Sequence, residues 1–320
     1  MKLALFFTRG ISLKIWDEKG MFDREVSLYK RFLEMGVTVC FVTYGDSSDL
    51  EYQDRLVGIT ILCNRWKLPS IIYEKLLHLR HGKVLRSCDI IKTNQMNGAD
   101  VAQRSALYWN KPLICRMGYM WSEFMRNENV SSSQAEIVED EIFKSTDRIV
   151  VTTDAMMKSI VDRIPASSDK TFVIPNYVET DRFAPYTGQP KDFDIIFVGR
   201  LCPQKNVTSL LKALSDLDFT SVIVGDGSLR KSLKKQYGNL NGKVKWERSI
   251  RNCELPSFMN RSRLFVLPSH YEGHPKTLIE AMSCSLPVLG ADSPGIREII
   301  DNGVNGYFCG TDSESIKSAI

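Results

Sequence analysis

Residues 264–310 read LFVLPSHYEGHPKTLIEAMSCSLPVLGADSPGIREIIDNGVNGYFCG, and the order of elements in this stretch decides the fold class. The apolar run "LFVLP" reads as a buried strand and ends in a loop from Ser269 to His274. Pro275 then opens a helix over 275–284, where its fixed φ and missing N–H cost nothing. "PVLG" is a second strand, 294–301 a second helix and "NGYFC" a third strand. Strands separated by helices form a parallel sheet covered on both faces.

The same alternation extends outward. Upstream, "FDIIFVGR" is a strand and 207–217 a helix with Asn206 as its cap. "TSVIVGDG", the helix 228–237, "KVKWE" and the short helix 254–260 follow; 313–320 begins a last helix. An earlier series has strands at "KLALFFT", "VTVCFVTYG", "DIIKTN", "PLICRMG" and "DRIVVTT". Helices are read at 22–35, where Val26, Tyr29 and Leu33 keep helical spacing before Gly36, and at 132–144. The chain therefore reads as α/β, two doubly wound Rossmann-like domains at 1–187 and 188–320. Pro185, Gly188 and Pro190 mark the linker. Open parallel sheets bind ligands at the carboxyl ends of their strands.

The chemistry concentrates beside the opening stretch. Backbone N–H groups of Lys276 and Thr277 at the start of a helix form an anion site suited to a diphosphate, and Lys276 adds a charge. Glu280 lies roughly 7–8 Å further along the axis, and its side chain leans back toward the N-terminus. It is placed to accept hydrogen bonds from a ribose, with Leu278, Ile279 and Met282 turned to the core. Glu272, in the loop before the helix, faces the other side of the phosphates. An isolated pair of this kind also fits two solvated glutamates; the helix opened by proline after a buried strand favours the site.

This segment resembles the donor-binding signature of the retaining GT-B glycosyltransferases of family 4, whose Glu-x7-Glu pattern is matched by Glu272 and Glu280. The likeness runs through "EAMSCSLPVLG" and "IIDNGVNGYF". It departs at Ser285, where the family usually has Gly, and at Gly273-His274-Pro275, where many members read G-F-G. "FVGRLCPQKN" resembles the family's other donor element, which implies that Gly199, Arg200 and Lys205 meet the donor and that both cations reach its phosphates. "VGDGSL", with Gly225 and Gly227, and "IPNYVETDRF", with Asn176 and Phe183, match as well. The resemblance implies transfer of a hexose-type unit from a UDP- or GDP-type sugar to an acceptor hydroxyl, with the anomeric configuration retained. Glu272, Arg200 and Lys205 take the catalytic roles, and Gly273, His274, Lys276, Thr277 and Glu280 join them around the donor. The nucleotide sugar is a co-substrate. An Arg/Lys pair supplies fixed charge for the departing diphosphate, so no cofactor or metal is expected.

The first domain matches more loosely. The family's loop after the first strand corresponds to residues 9–20, whose backbone N–H groups are expected near the diphosphate. Arg116, Tyr119 and Trp121, in "RMGYMWSEF", fall on the acceptor side and read equally well as packing. The acceptor implied is a saccharide or lipid-linked molecule in polysaccharide or glycolipid synthesis. Relatives usually send a C-terminal helix back to the first domain, whereas this sequence stops at Ile320, so the second domain reads as cut short. That leaves open a nucleotide-sugar-binding module without transfer, or a phosphorylase or epimerase of the same fold.

Bulk properties agree with this reading. A net charge of +4 over 320 residues, with 25% charged residues, gives no basic footprint for nucleic acid. The eight cysteines show no CxxC spacing and read as buried, reduced thiols. The apolar run Leu3–Phe7 is too short for a signal peptide, and no stretch approaches the ~20 apolar residues of a membrane span. A cytoplasmic protein is expected, at the inner face of the membrane if residues 65–86 lie on anionic lipid. That segment carries Arg65, Lys67, Lys75, Arg80, Lys83 and Arg86 against one Glu; a solvated helix face fits it too.

Overall fold

Alternate residues of a strand point to opposite faces, and in the first strand both faces are apolar. Leu3, Leu5 and the following Phe7 join Leu13, Trp16, Phe22, Val26 and Phe41 on one side. Ala4 and Phe6 join Cys40, Val42, Tyr73, Leu77 and Ile91 on the other. A strand buried on both faces belongs at the centre of a parallel sheet. In the computed structural model, which describes residues 1–238, 240 and 242–320, it does.

The chain divides into two compact units, Met1–Pro175 and Asn176–Ile320. The strands of the first are Lys2–Phe6 (β1), Thr38–Val42 (β2), Ile59–Leu62 (β3), Ile90–Thr93 (β4), Leu113–Arg116 (β5), Arg148–Val151 (β6) and Thr171–Val173 (β7). They pair in parallel in the order β3-β2-β1-β4-β5-β6-β7. Phe7 stacks on Trp16 with ring centroids 3.9 Å apart, which ties the helix Leu13–Glu18 to the sheet.

The second unit contains Phe193–Val198 (β8), Ser221–Val224 (β9), Val244–Glu247 (β10), Ser262–Leu267 (β11), Val288–Ala291 (β12) and Tyr307–Cys309 (β13). Their parallel order is β10-β9-β8-β11-β12-β13. One continuous core runs through it, including Ile196, Phe197, Leu210, Phe265, Val266, Leu278 and Ile316. Burying each large apolar side chain contributes about 1.5–3 kcal/mol. In both units the winding reverses beside the first strand, between β1 and β4 and between β8 and β11. The loops leaving those strands separate there and leave a crevice.

Three details differ from the sequence reading. The units divide at 175/176 rather than 187/188. Phe183 is buried in the second core, Asn260 accepts a hydrogen bond from the Tyr186 N–H at 2.7 Å, and these contacts carry residues 176–187 into that unit. The helix read over 294–301 is replaced by successive turns at 294–299, where Gly295 adopts φ +78°. Among the cysteines, Cys253 is exposed and Cys202 partly so, whereas the other six are buried; all eight are free thiols.

Candidate functional site

The crevice of the second unit is built from three loops. After β8 comes Gly199–Asn206, after β9 Gly225–Leu229, and after β11 Pro268–Pro275. The first two interlock through their backbones. The Gly199 N–H donates to Val224 O (3.0 Å) and the Leu201 N–H to Asp226 O (2.9 Å). A Cβ on Gly225 would lie 1.9 Å from Gly199 O, and one on Gly227 2.4 Å from Leu201 O. Glycine is required at both positions for this close approach. Arg230, buried, donates to the carbonyls of Gly225 and Glu247 and fixes the third side of the turn.

The first and third loops are stitched together by two amides. Gln204 Nε2 donates to Tyr271 O (2.9 Å), and Gln204 O accepts from the His270 N–H (2.9 Å). Asn206 Nδ2 donates to Pro268 O (3.1 Å) and Thr311 O (2.7 Å). Asn206 is at φ 51°, a left-handed conformation that Asn tolerates better than most residues. It occupies the cap position of the helix Val207–Ser215, but its side chain makes no capping bond: its backbone is left-handed rather than in the extended conformation from which a cap oxygen accepts the first-turn N–H groups, and its amide N–H groups hold the neighbouring loops instead.

Within this frame Lys205 Nζ forms an ion pair with Glu272 Oε1. Both side chains are largely withdrawn from water, at 13% and 8% exposure. Arg200 is exposed at the rim and reaches Gln204 Oε1 at 3.4 Å. The backbone of Glu272 is held from behind: its N–H donates to Pro294 O (3.0 Å), and a Cβ on Gly295 would strike Gly273 O at 2.2 Å. Asn176 Nδ2 donates to His274 O (2.6 Å). Pro275, in an extended conformation, is the cap of the helix Lys276–Ser283, which begins one residue later than the sequence implies, so Lys276 and Thr277 occupy its first turn.

Glu280 departs from the sequence reading. It is 2% exposed and shares the buried face with Leu278 and Ala281, whereas Ile279 and Met282 are half-buried. The reason lies 28 residues upstream. Asn252, itself 1% exposed, donates from Nδ2 to Glu280 Oε1 at 3.0 Å, and this bond offsets the cost of burying the carboxylate. Arg182 Nη1 reaches Asn252 Oδ1 at 3.4 Å and pairs with Glu179 at 2.6 Å. Asn252, Gln204 and Arg230 are absent from the sequence-derived site; only Gln204, lying between Arg200 and Lys205, carries a signal in the chain.

In the first unit, Arg116 closes β5, accepts the Thr93 hydroxyl hydrogen bond on its carbonyl (3.0 Å) and reaches Asn94 O with Nη1 (3.3 Å). Arg116 therefore stands at the carboxyl end of the sheet. Tyr119 packs on Phe124, ring centroids 5.4 Å apart, and Trp121 packs on the core around Met117 and Phe143. The backbone amides of loop 9–20 are largely engaged. Lys14 N–H donates to the buried Asp49 carboxylate (3.3 Å), Ile15 N–H to Ser12 Oγ (3.1 Å), and Arg9 N–H to Asn97 O (3.0 Å). Asp49, whose carboxyl is pushed by burial above the usual carboxylate range, supplies a buried acceptor at this helix start. Among the described residues no cluster of three or more His, Cys, Asp or Glu side chains is arranged to hold a metal ion.

Residues 179–320 match the family model described as glycosyl transferases group 1, and residues 26–182 match the one described as glycosyltransferase family 4. An uncharacterized glycosyltransferase of Methanocaldococcus jannaschii is 34% identical over 285 residues, covering 83% of this chain and 74% of that protein. The chain belongs to the family 4 glycosyltransferases. Another relative of this glycosyltransferase is the Escherichia coli UDP-Gal:alpha-D-GlcNAc-diphosphoundecaprenol alpha-1,3-galactosyltransferase. It is 31% identical over 189 residues, which span 52% of this chain and 49% of the relative. Among solved structures, Anabaena HepE in complex with UDP superposes with TM-score 0.77 at 18% identity, covering 99% of this chain and 88% of that one. Sucrose-phosphate synthase from Thermosynechococcus elongatus also gives 0.77, at 17% identity and with 100% and 88% covered. The glycosyltransferase thus has the GT-B architecture of two doubly wound sheets.

Proposed function

We propose that this glycosyltransferase moves a sugar from a UDP- or GDP-type donor to an acceptor hydroxyl with retention at the anomeric carbon. The observation that carries the reading is the Lys205–Glu272 pair, set at the switch point of the second sheet beside Arg200 and the helix start at Lys276. Lys205 gives one of its three ammonium donors to Glu272 and keeps the others for a diphosphate. Arg200 adds a planar cation at the rim. Fixed charges aimed where the leaving group gains charge lower the barrier without reorganising. Glu280, oriented by Asn252, accepts hydrogen bonds from the ribose, and Glu272 faces the transferred sugar. The names of relatives favour UDP: HepE has been solved with UDP and with UDP-glucose, and the E. coli relative is named for UDP-Gal and a diphosphoundecaprenol acceptor.

The acceptor class is saccharide or lipid-linked, and the reaction runs on the cytoplasmic side. Because the two cations serve the leaving group, we propose that no metal is needed. Calorimetric titration with UDP, GDP and ADP sugars tests the donor site. One nucleotide should bind wild type and lose its affinity in Glu280→Ala. Equal binding by that variant refutes the ribose role. Arg200→Ala should slow transfer by about 10²–10³, with the rate of the unmodified enzyme unchanged by EDTA. NMR of the product anomer tests retention; an inverted anomer overturns the mechanism.

A further inference from the structure

We infer that the exposed face shared by the helices Ser70–Arg80 and Ala99–Trp109 of the first unit docks on an anionic lipid bilayer. The first of these helices buries Tyr73 and Leu77, yet Ile71 is 71% exposed, Leu79 48% and Ile72 45%. Positions 71, 75 and 79 follow one another at a turn's spacing, with Ile72 alongside, so these side chains make one outward stripe. Leu107 and Tyr108, at 71% and 55% exposure, continue it on the second helix. The helices are joined along this edge. The His78 and Tyr108 rings lie 4.8 Å apart, Trp109 Nε1 donates to His78 O (2.9 Å), and Arg104 Nη1 donates to Glu74 O (3.1 Å). Exposed apolar side chains gathered in this way, with the cationic Lys75 between Ile71 and Leu79, mark a binding face.

Charge identifies what it binds. Each helix has a single carboxylate, Glu74 on one and Asp100 on the other. Arg9 pairs with both, through Nε to Glu74 (3.2 Å) and Nη2 to Asp100 (2.7 Å). With both acids taken up, the exposed charges around the stripe are Lys75, Arg80 and Arg104, followed by Lys83 and Arg86. Arg65 and Arg80 lie over the Trp66 ring at 4.9 and 5.3 Å, adding an amphipathic aromatic to this edge. An apolar stripe bordered by cations fits the interface of an acidic membrane, where its side chains enter the headgroup boundary and its cations meet lipid phosphates. Among the described residues no helix is long and apolar enough to cross a membrane, so the contact is peripheral.

The inference is independent of the donor site and is tested without substrate. Purified protein is floated with phosphatidylcholine vesicles, with and without phosphatidylglycerol. It should rise with the acidic vesicles and not with the neutral ones. Ile71→Ser combined with Leu107→Ser should weaken this at least about tenfold, and Lys75→Gln about fivefold. All three positions are exposed, and unchanged melting curves will show that the fold is intact. No binding to acidic vesicles, or equal binding by all variants, overturns the proposal. So does a wild-type dimer in sedimentation velocity that the serine substitutions dissolve, which assigns the face to a second copy of the chain.

Discussion

Lys205 and Glu272 are worth more as a pair than either is alone. Each is mostly desolvated, so removing one leaves the other charged in a poorly hydrated place. Glu272→Leu should destabilise the second unit by about 3 kcal/mol, measured by urea unfolding. The double variant Lys205→Met/Glu272→Leu should recover most of that loss while losing donor binding, which separates stability from function. Asn252 is tested in the same way. Asn252→Leu removes the donor to Glu280 Oε1 and should cost about 1–3 kcal/mol, with weaker nucleotide binding in calorimetry. Asn252→Asp places a second carboxylate there and raises the folded-state proton affinity of the pair. Relative to wild type, that variant should be favoured at low pH and lose stability as pH rises. Neither dependence is written locally in the chain. The spacing of Glu272 and Glu280 was visible as a pattern, but the burial of Glu280 depends on a side chain 28 positions away.

At the scale of elements, the helix Ser70–Arg80 ends at His81, which is buried and 2.9 Å from the Tyr73 hydroxyl. Burial, with a smaller contribution from the charge of Arg65, lowers its pKa to about 4. The unfolded chain takes up the proton near pH ~6.5, the folded one only near 4. Its contribution to stability is therefore complete above about pH 6.5 and declines as the pH falls toward 4, by about 3 kcal/mol in all. Urea midpoints across that window should show the decline, and His81→Gln should flatten it. Elements with a strong local pattern were legible: β1, β8, β11 and the helix 22–34 follow from apolar runs and helical spacing. The strand Ile59–Leu62, four residues long, gave too little pattern. The apolar spacing over 294–301 is helical and predicts a helix; the left-handed Gly295 in the turns at 294–299 answers to the Glu272–Gly273 backbone, a constraint from outside the segment.

For the whole molecule, the boundary between units has energetic content. Phe183 is assigned to the second core, so Phe183→Ala should destabilise the second unit by about 3–5 kcal/mol and leave the first unaffected. Differential scanning calorimetry should show one transition moving and the other fixed; movement of the first alone would return residues 176–187 to the first unit. The tandem architecture was legible because both sheets repeat the same alternation. Pro185, Gly188 and Pro190 predict a linker by composition alone, whereas the contacts of Phe183 and Tyr186 that draw this stretch into the second unit are tertiary.

The stitching by Gln204 and Asn206 has a kinetic consequence. Two loops that would otherwise sample many shapes are held in register by three hydrogen bonds within the second unit, and a fourth ties Asn206 to Thr311. A molecule entering that crevice has little local disorder to freeze, so association need not wait on a rare conformer and the entropic toll of capture is small. Closely related ligands should then arrive at similar rates and differ chiefly in residence time.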